Sequence, residues 1–218
     1  IDLGLGRAPG SDQITARALR RPQVHDEDAF PQDVVELIDF MADEPRQRVL
    51  AMPGRGAKVP VWILGSSLFG AQLVAALGLP FAFASHFAPA AMMQAVQLYR
   101  AQFQPSAQLA QPYVMLGFNV FCAPTDAEAQ WLASSVQQSF LSLRSGKPIA
   151  LPPPKADFLA NATPEQAAVL SNILACSAIG SPSTVAHAMQ AFIAQTGANE
   201  LMVAGAMYDH TARLRSYE

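Results

Sequence analysis

Short apolar runs alternate with longer amphipathic segments along the whole chain, and that alternation is the pattern of βα units. Ile1-Asp2-Leu3-Gly4-Leu5 reads as a first strand, Gly6 to Ser11 as a polar Gly/Pro turn, and Asp12 as the N-cap of a helix. A charged loop from Arg20 to Asp28 leads to Phe30-Pro31-Gln32-Asp33. This opens a second helix, with Val34, Leu37, Ile38 and Met41 on one apolar face. After a turn-rich stretch from Met52 to Lys58, Val59 to Leu64 reads as a parallel strand covered on both faces. Gly65-Ser66-Ser67 ends that strand, and a helix runs on to Leu77.

The next unit has Phe81 to Ser85 as strand, His86 to Pro89 as loop and Ala90 to Phe103 as helix. Tyr113 to Cys122 is a further strand. Its helix opens at Thr125-Asp126-Ala127-Glu128, a hydroxyl N-cap followed by first-turn acids. Lys147-Pro148 and Pro152-Pro153-Pro154 break the rhythm, so Ser145 to Thr163 is expected to be a mobile excursion. Pro164 suits the first position of a helix reaching Cys176, and Gly180-Ser181-Pro182 opens another to Thr196. Glu200 to Ala206 is a last strand, with a short helix from Asp209. The reading contains five strands and no hairpin.

Composition narrows the function. The 218 residues suit one domain, and 51% are hydrophobic while only 14% are charged, against about 25% in an average soluble protein, so a large core is expected. The net charge is −3, and no Lys/Arg run could follow a nucleic-acid backbone or an anionic membrane surface. The apolar stretch from Ala71 to Ala84 is broken by Gly78 and Pro80, too soon for a membrane span. Cys122 and Cys176 belong to no metal-ligand or redox spacing, as expected of reduced packing residues in a cytoplasmic protein. The chain opens on Ile1 inside a strand-like run, which reads as a fragment of something longer.

Parallel βα alternation allows a doubly wound sheet or a closed barrel. A dinucleotide fingerprint is absent, because Gly4-Leu5-Gly6-Arg7-Ala8-Pro9-Gly10 has Pro9 where the third glycine belongs. Arg7 follows a strand end and suits an anion, although a surface turn residue is an equal reading. Gly65, Ser66, Ser67 and Gly70 surround a helix N-terminus, where free N–H groups favour a phosphate; an ordinary serine cap is the competing account. His86 sits at another strand end, and either proton transfer or a structural loop role fits it. His25, His187 and His210 form no metal spacing, while Trp62, Phe81, Phe83, Leu68 and Phe69 read as packing.

Asp2 to Gly10, Trp62 to Ser67, Gly78 to Phe87 and Tyr208 to Tyr217 together resemble the bacterial luciferase-like flavin-dependent monooxygenases, the alkanal monooxygenase type. The resemblance spans essentially the whole chain. It implies a (β/α)8 TIM barrel, here represented by strands four to eight as a single partial-barrel domain, about 100 residues short of a complete barrel. Five strands cannot close a barrel, so the resemblance implies a longer source protein or a covering partner. It further implies FMN, reduced by a separate flavin reductase, reacting with O2 to oxygenate a small organic substrate such as an aldehyde. Arg7, Ser66, Ser67, Gly65 and Gly70 would hold the flavin phosphate, Leu5 and Gly6 would approach the ring, and His86 would line the reaction cavity as the catalytic candidate. A dimer or other homo-oligomer is expected. Two alternatives stay open: a non-catalytic flavin-binding protein akin to the non-fluorescent flavoproteins, and an oxidoreductase using the deazaflavin F420.

Overall fold

A computed structural model of the chain describes residues 1–8, 13–19 and 29–218. The N-cap expected at Asp12, the charged loop from Arg20 to Asp28 and His25 lie outside the described residues. Contacts group the chain into two compact units, one of residues 1–82 and 97–113, the other of residues 83–96 and 114–218.

In the first unit, β1 (Leu3–Gly6) and β2 (Val61–Gly65) pair in parallel, Gly4 beside Trp62 and Gly6 beside Leu64. Side chains alternate along a strand, so Leu3, Leu5, Val61 and Ile63 share one face while Gly4, Gly6, Trp62 and Leu64 share the other. Val61, Trp62 and Ile63 are buried, so the strand is covered on both faces along these residues, but Leu64 is 47% exposed and departs from that expectation. The cause lies in β1. Leu64 leans across Gly4, where an added Cβ would meet its Cδ1 at 2.5 Å, and glycines have no side chains with which to bury it.

Two helices, α1 (Gln13–Ala18) and α2 (Phe30–Phe40), follow β1; α2 buries Val34 and half-buries Leu37 and Ile38, the face that the periodicity marks. Next comes α3 (Leu68–Leu77), which ends where Gly78 adopts φ +64° and the Gly78 and Leu79 amides donate back to the Ala75 and Val74 carbonyls. That pair of bonds is a Schellman termination. β3 (Phe81–Phe83) stops two residues before the predicted end at Ser85, because the chain turns at Ala84. A 3-10 turn, Pro89–Ala91, precedes α4 (Met92–Gln102). From α4, Tyr99 is fully buried against the rings of Phe81 and Phe103.

The second unit is built on β4 (Val114–Cys122), which pairs in parallel with β5 (Ser177–Gly180) along Asn119–Cys122 and with β6 (Glu200–Ala204) along Met115–Asn119. β5 makes a sixth strand among the described residues, one more than the sequence reading contains. A four-residue strand carries too few alternations to distinguish from a linker. α5 (Asp126–Arg144) starts as expected, with Thr125 Oγ1 accepting from the Glu128 amide, and its Ala129, Leu132, Ala133 and Val136 pack with Phe121 and Met207 into a core. α6 (Pro164–Ile173) has Pro164 in its first turn and a capping box between Thr163 and Gln166, and it ends before the predicted Cys176. α7 (Pro182–Thr196) and α8 (His210–Tyr217) complete the unit, α8 capped by Asp209. Residues 145–163 form neither helix nor strand. They are nonetheless tethered, the Lys155 amide donating to Ser134 Oγ at 2.7 Å and Gln138 Nε2 to the Pro153 carbonyl at 3.1 Å. No helix among the described residues is long and apolar enough to cross a membrane.

Asp126 clamps two neighbouring strand ends of this unit. Its Oδ1 accepts from the Ser181 amide at 2.6 Å and from Thr184 Oγ1 at 2.8 Å, joining the start of α5 to the turn between β5 and α7. These bonds, that from the Ser181 amide foremost, hold the carboxyl below its ordinary range. A depressed folded-state value means that the clamp's contribution is full above about pH 4, the unfolded carboxyl value, and is lost as pH falls through the folded value. Asp126→Asn should therefore lower stability at neutral pH and change it little at acid pH, which flattens the acid limb of the stability curve. Urea midpoints from pH 7 downward check this, and an unaltered acid limb would remove Asp126 from the clamp.

Candidate functional site

Arg7 follows β1 immediately, and β2 ends at Gly65, so the parallel register brings the predicted anion loops side by side at the C-terminal ends of adjacent strands. Parallel α/β folds place ligands at such ends. Ser66 and Ser67 are exposed there. Ser67 is the N-cap of α3 with extended backbone, φ −138° and ψ 165°, yet it makes no side-chain capping bond. Thr125, Thr163 and Asp209, residues of the same capping class, do cap their helices, whereas Ser181 at the start of α7, like Ser67, does not. The first-turn amides of α3 thus lack the acceptor that their N-cap residue could supply, and they keep their donors for an anion.

The Arg7 guanidinium stacks over the Phe69 ring, 4.3 Å from its centroid. Phe69 lies in the first turn of α3, so a permanent cation is held beside the positive end of a helix dipole. A phosphate placed at this corner would meet both the guanidinium and the positive end of the helix. Donor chemistry at this corner fits a phosphate monoester such as that of FMN: a planar guanidinium, two serine hydroxyls and the uncapped amides.

The other predicted residues fall as follows. Gly70 is buried as the third residue of α3, and Gly65 is half-buried. A Cβ on either would lie 3.8 Å from the other's Cα, ordinary contact, so these glycines bring strand and helix together without being sterically obligatory. Gly6 is exposed on the open face with Gly4, whereas Leu5 is half-buried on the opposite face with Leu3. The pair expected to approach one flavin ring is therefore split between the two faces of β1.

In the second unit, His86 follows Ser85, which is buried and donates through Oγ to the Gly117 carbonyl at 2.7 Å. Asn119 Nδ2 donates to the His86 carbonyl at 2.9 Å. The imidazole lies against Gly117, where any Cβ would overlap Nδ1, and Nδ1 is itself buried with no hydrogen-bond partner. Burial pushes the His86 pKa down, which favours the neutral ring. His187 is on α7, and His210 opens α8 with its Nδ1 2.9 Å from an Arg213 nitrogen. Trp62, Phe81 and Phe83 are buried core residues, as read, and both cysteines are free thiols. Among the described residues no group of three or more His, Cys, Asp or Glu could hold a metal.

Sequence reasoning reads Phe69 only as packing and gives no role to Ser85, Gly117 and Asn119. Phe69 gave no local signal, since its partner Arg7 is distant in sequence. Gly117 and Asn119 did: a glycine inside the apolar run Val114 to Cys122 marks a close approach, and a lone amide there marks a specific bond.

The fold and this corner define a parallel α/β protein with an anion-suited site at its strand ends. Comparison with known proteins is more specific. The model of the luciferase-like monooxygenase family matches residues 13–200. The chain belongs to that family. It is 49% identical over 219 aligned residues to a luciferase-like monooxygenase of Escherichia coli strain K12, covering all of this chain and 65% of the relative, so it spans just under two thirds of that protein's length. The crystal structure of apo-MsnO8 superposes with a TM-score of 0.82 at 30% identity, covering all of this chain and 66% of the other. This match makes the fold that of the luciferase-like TIM-barrel structures. Two more distant structures show the fold alone. One is the oxygenating constituent of 3,6-diketocamphane monooxygenase from Pseudomonas putida in complex with FMN, with a TM-score of 0.60 and 18% identity, covering 99% of this chain and 67% of the other. The second is the coenzyme F420 dependent tetrahydromethanopterin reductase of Methanopyrus kandleri, with a TM-score of 0.58 and 14% identity, covering 94% of this chain and 68% of the other.

Proposed function

We propose that the chain is the flavin-phosphate-binding part of a flavin-dependent monooxygenase that uses reduced FMN and O2 to oxygenate a small organic substrate. The observation that carries this reading is the convergence of Arg7, the exposed Ser66 and Ser67, and the uncapped first turn of α3 at one corner. Family membership supplies the redox class, and FMN is the cofactor we propose first because a phosphate monoester suits the donors at this corner. FMN, when bound, supplies the electrons with which O2 is activated. The chain's own residues would bind and orient: the guanidinium and the α3 amides would hold the phosphate, and Gly6, on the same face as the exposed Leu64, adds no side chain of its own there. Reduced flavin would come from a separate reductase, and an aldehyde is the substrate we propose first.

The decisive measurement is a fluorescence titration of the chain with FMN, riboflavin and F420. FMN is expected to bind more tightly than riboflavin, which lacks the phosphate. Arg7→Ala should weaken FMN by about 1.5–3 kcal/mol, roughly ten- to a hundredfold, while leaving riboflavin unchanged. Equal affinity for FMN and riboflavin, or an Arg7→Ala variant with unaltered FMN affinity, would overturn the site. Preference for F420 would move the reading to a deazaflavin oxidoreductase. Adding NADH, a flavin reductase and an aldehyde to the full-length protein separates an oxygenase from a flavin-binding relative, because only the first consumes the aldehyde.

A further inference from the structure

His86 can be read as a proton-transfer group or as a loop residue, and its surroundings decide against proton transfer. Two side-chain bonds fix the backbone around the ring: Ser85 Oγ to the Gly117 carbonyl at 2.7 Å and Asn119 Nδ2 to the His86 carbonyl at 2.9 Å. Gly117 supplies the third constraint. The atoms nearest its absent Cβ are Nδ1, Cε1 and Cγ of His86, so this edge of the imidazole occupies the space that a side chain on β4 would fill. Nδ1 is thereby sealed from water with no partner, while the residue as a whole is only half-buried. Nε2 belongs to the edge turned away from Gly117.

We propose that Gly117 and Asn119 are positioning residues that hold His86 as a neutral imidazole with its proton on Nε2, presenting a hydrogen-bond donor to an acceptor atom of a bound ligand. The chemistry follows from donors and acceptors. An imidazolium carries a proton on each nitrogen, and its Nδ1–H would be buried without an acceptor. The Nδ1–H tautomer has the same defect, and buried orphan N–H groups are rarer than under-satisfied acceptors. Only the Nε2–H tautomer avoids burying a donor. Among the described residues no charge reverses this, and burial is the cause that shifts the ring. β4 carries only Cys122 as a titratable group and β5 carries none, while α6, packed near the Pro89–Ala91 turn, carries an exposed Glu165. Cys176, beside Ser85, and Cys122 are thiols pushed up by burial and so uncharged. Neutral histidines that polarise a carbonyl by donation rather than by proton transfer are an established catalytic device.

The proposal deepens the reading of the chain as a flavin enzyme, but its test needs no flavin and can fail independently of that reading. Nitrogen-15 spectra of the histidine rings, with His86 assigned from a His86→Gln variant, report tautomer and charge directly. Wild-type protein is expected to show a bare Nδ1 and a protonated Nε2, with titration below the ordinary histidine value of 6.5. Gly117→Ala should displace the ring, expose Nδ1 and raise the titration toward 6.5; Asn119→Ala should loosen the tautomer preference while leaving the fold intact. A proton on Nδ1, or wild-type titration at or above the ordinary value, overturns the proposal. So does a Gly117→Ala protein that folds and leaves the His86 spectrum unchanged. Should Gly117→Ala not fold, the wild-type tautomer and the Asn119→Ala spectrum decide alone.

Discussion

Gly78→Ala is expected to lose about 2–5 kcal/mol of stability, the opposite of the gain of about 1 kcal/mol that a glycine-to-alanine exchange brings where only helix propensity is at stake. Two effects add. At φ +64° the residue is in the left-handed region, which costs an L-residue about 1–2 kcal/mol. A Cβ would also overlap the Gln104 carbonyl oxygen and stand 2.6 Å from Ser106 Cβ and 3.0 Å from the Ser106 amide. Backbone atoms cannot swing aside as a flexible side chain does, and overpacking of this kind costs about 1–3 kcal/mol more. The Gly78 carbonyl also accepts from Ser106 Oγ at 2.8 Å, so displacement breaks that bond as well. Gly56→Ala in the same unit is the control: its φ is +73°, but the nearest atom to a Cβ is Asp43 Oδ1 at 3.2 Å, on an exposed side chain that can move. It should lose only the conformational part, about 1 kcal/mol. Urea midpoints of the two variants measure the difference. Equal losses would show that the close packing at Gly78 has no energetic weight. Because Gly78 sets where the chain leaves α3, the helix whose other end carries Ser67, the larger loss should also appear as weaker FMN binding.

The contrast between that residue and the candidate site shows what a sequence discloses. The turn at Gly78, the cap at Thr125, the proline start at Pro164 and the helix start at Asp209 are legible because each is set by chemistry within a few neighbouring residues. Ser66 and Ser67 are legible as a helix entry for the same reason. That Ser67 leaves its helix uncapped is not, since nothing local distinguishes it from Thr125. The contact of Arg7 with Phe69 and the seating of His86 on Gly117 depend on which strands lie side by side. Periodicity identifies strands but not their register. β5 was lost to its shortness, and the exposure of Leu64 to the glycines of a neighbouring strand. Apart from β5, each omission has the same origin, a partner from elsewhere in the chain.

Tyr99 carries the second large effect, and it tests whether the first unit holds the phosphate corner by its core. The side chain is fully buried, its ring 5.4 Å from Phe81 and 5.5 Å from Phe103 between centroids. Its hydroxyl donates to the Leu79 carbonyl at 2.9 Å and accepts from the Tyr113 amide at 3.0 Å, bridging the start of β3 to the residue before β4. Tyr99→Ala removes both rings' partner and the bridge and should lose about 3–5 kcal/mol, the range for deleting a buried aromatic. Tyr99→Phe keeps the packing and removes only the bridge, and should lose about 1–3 kcal/mol because two backbone groups each lose a bond in a dry environment. The difference between the variants isolates packing from hydrogen bonding. If Tyr99→Phe is neutral, water has replaced the hydroxyl and the site is less sealed than its burial indicates. The functional arm is more telling. Phe81, which Tyr99 supports, also lies within 4.0 Å of the position of a Cβ on Gly65 or Gly70, so it backs the strand-to-helix join that presents Ser66 and Ser67. Tyr99→Ala should therefore weaken FMN binding although no atom of Tyr99 reaches the exposed corner. Riboflavin binding should fall less, since the loosened element is the one proposed to meet the phosphate.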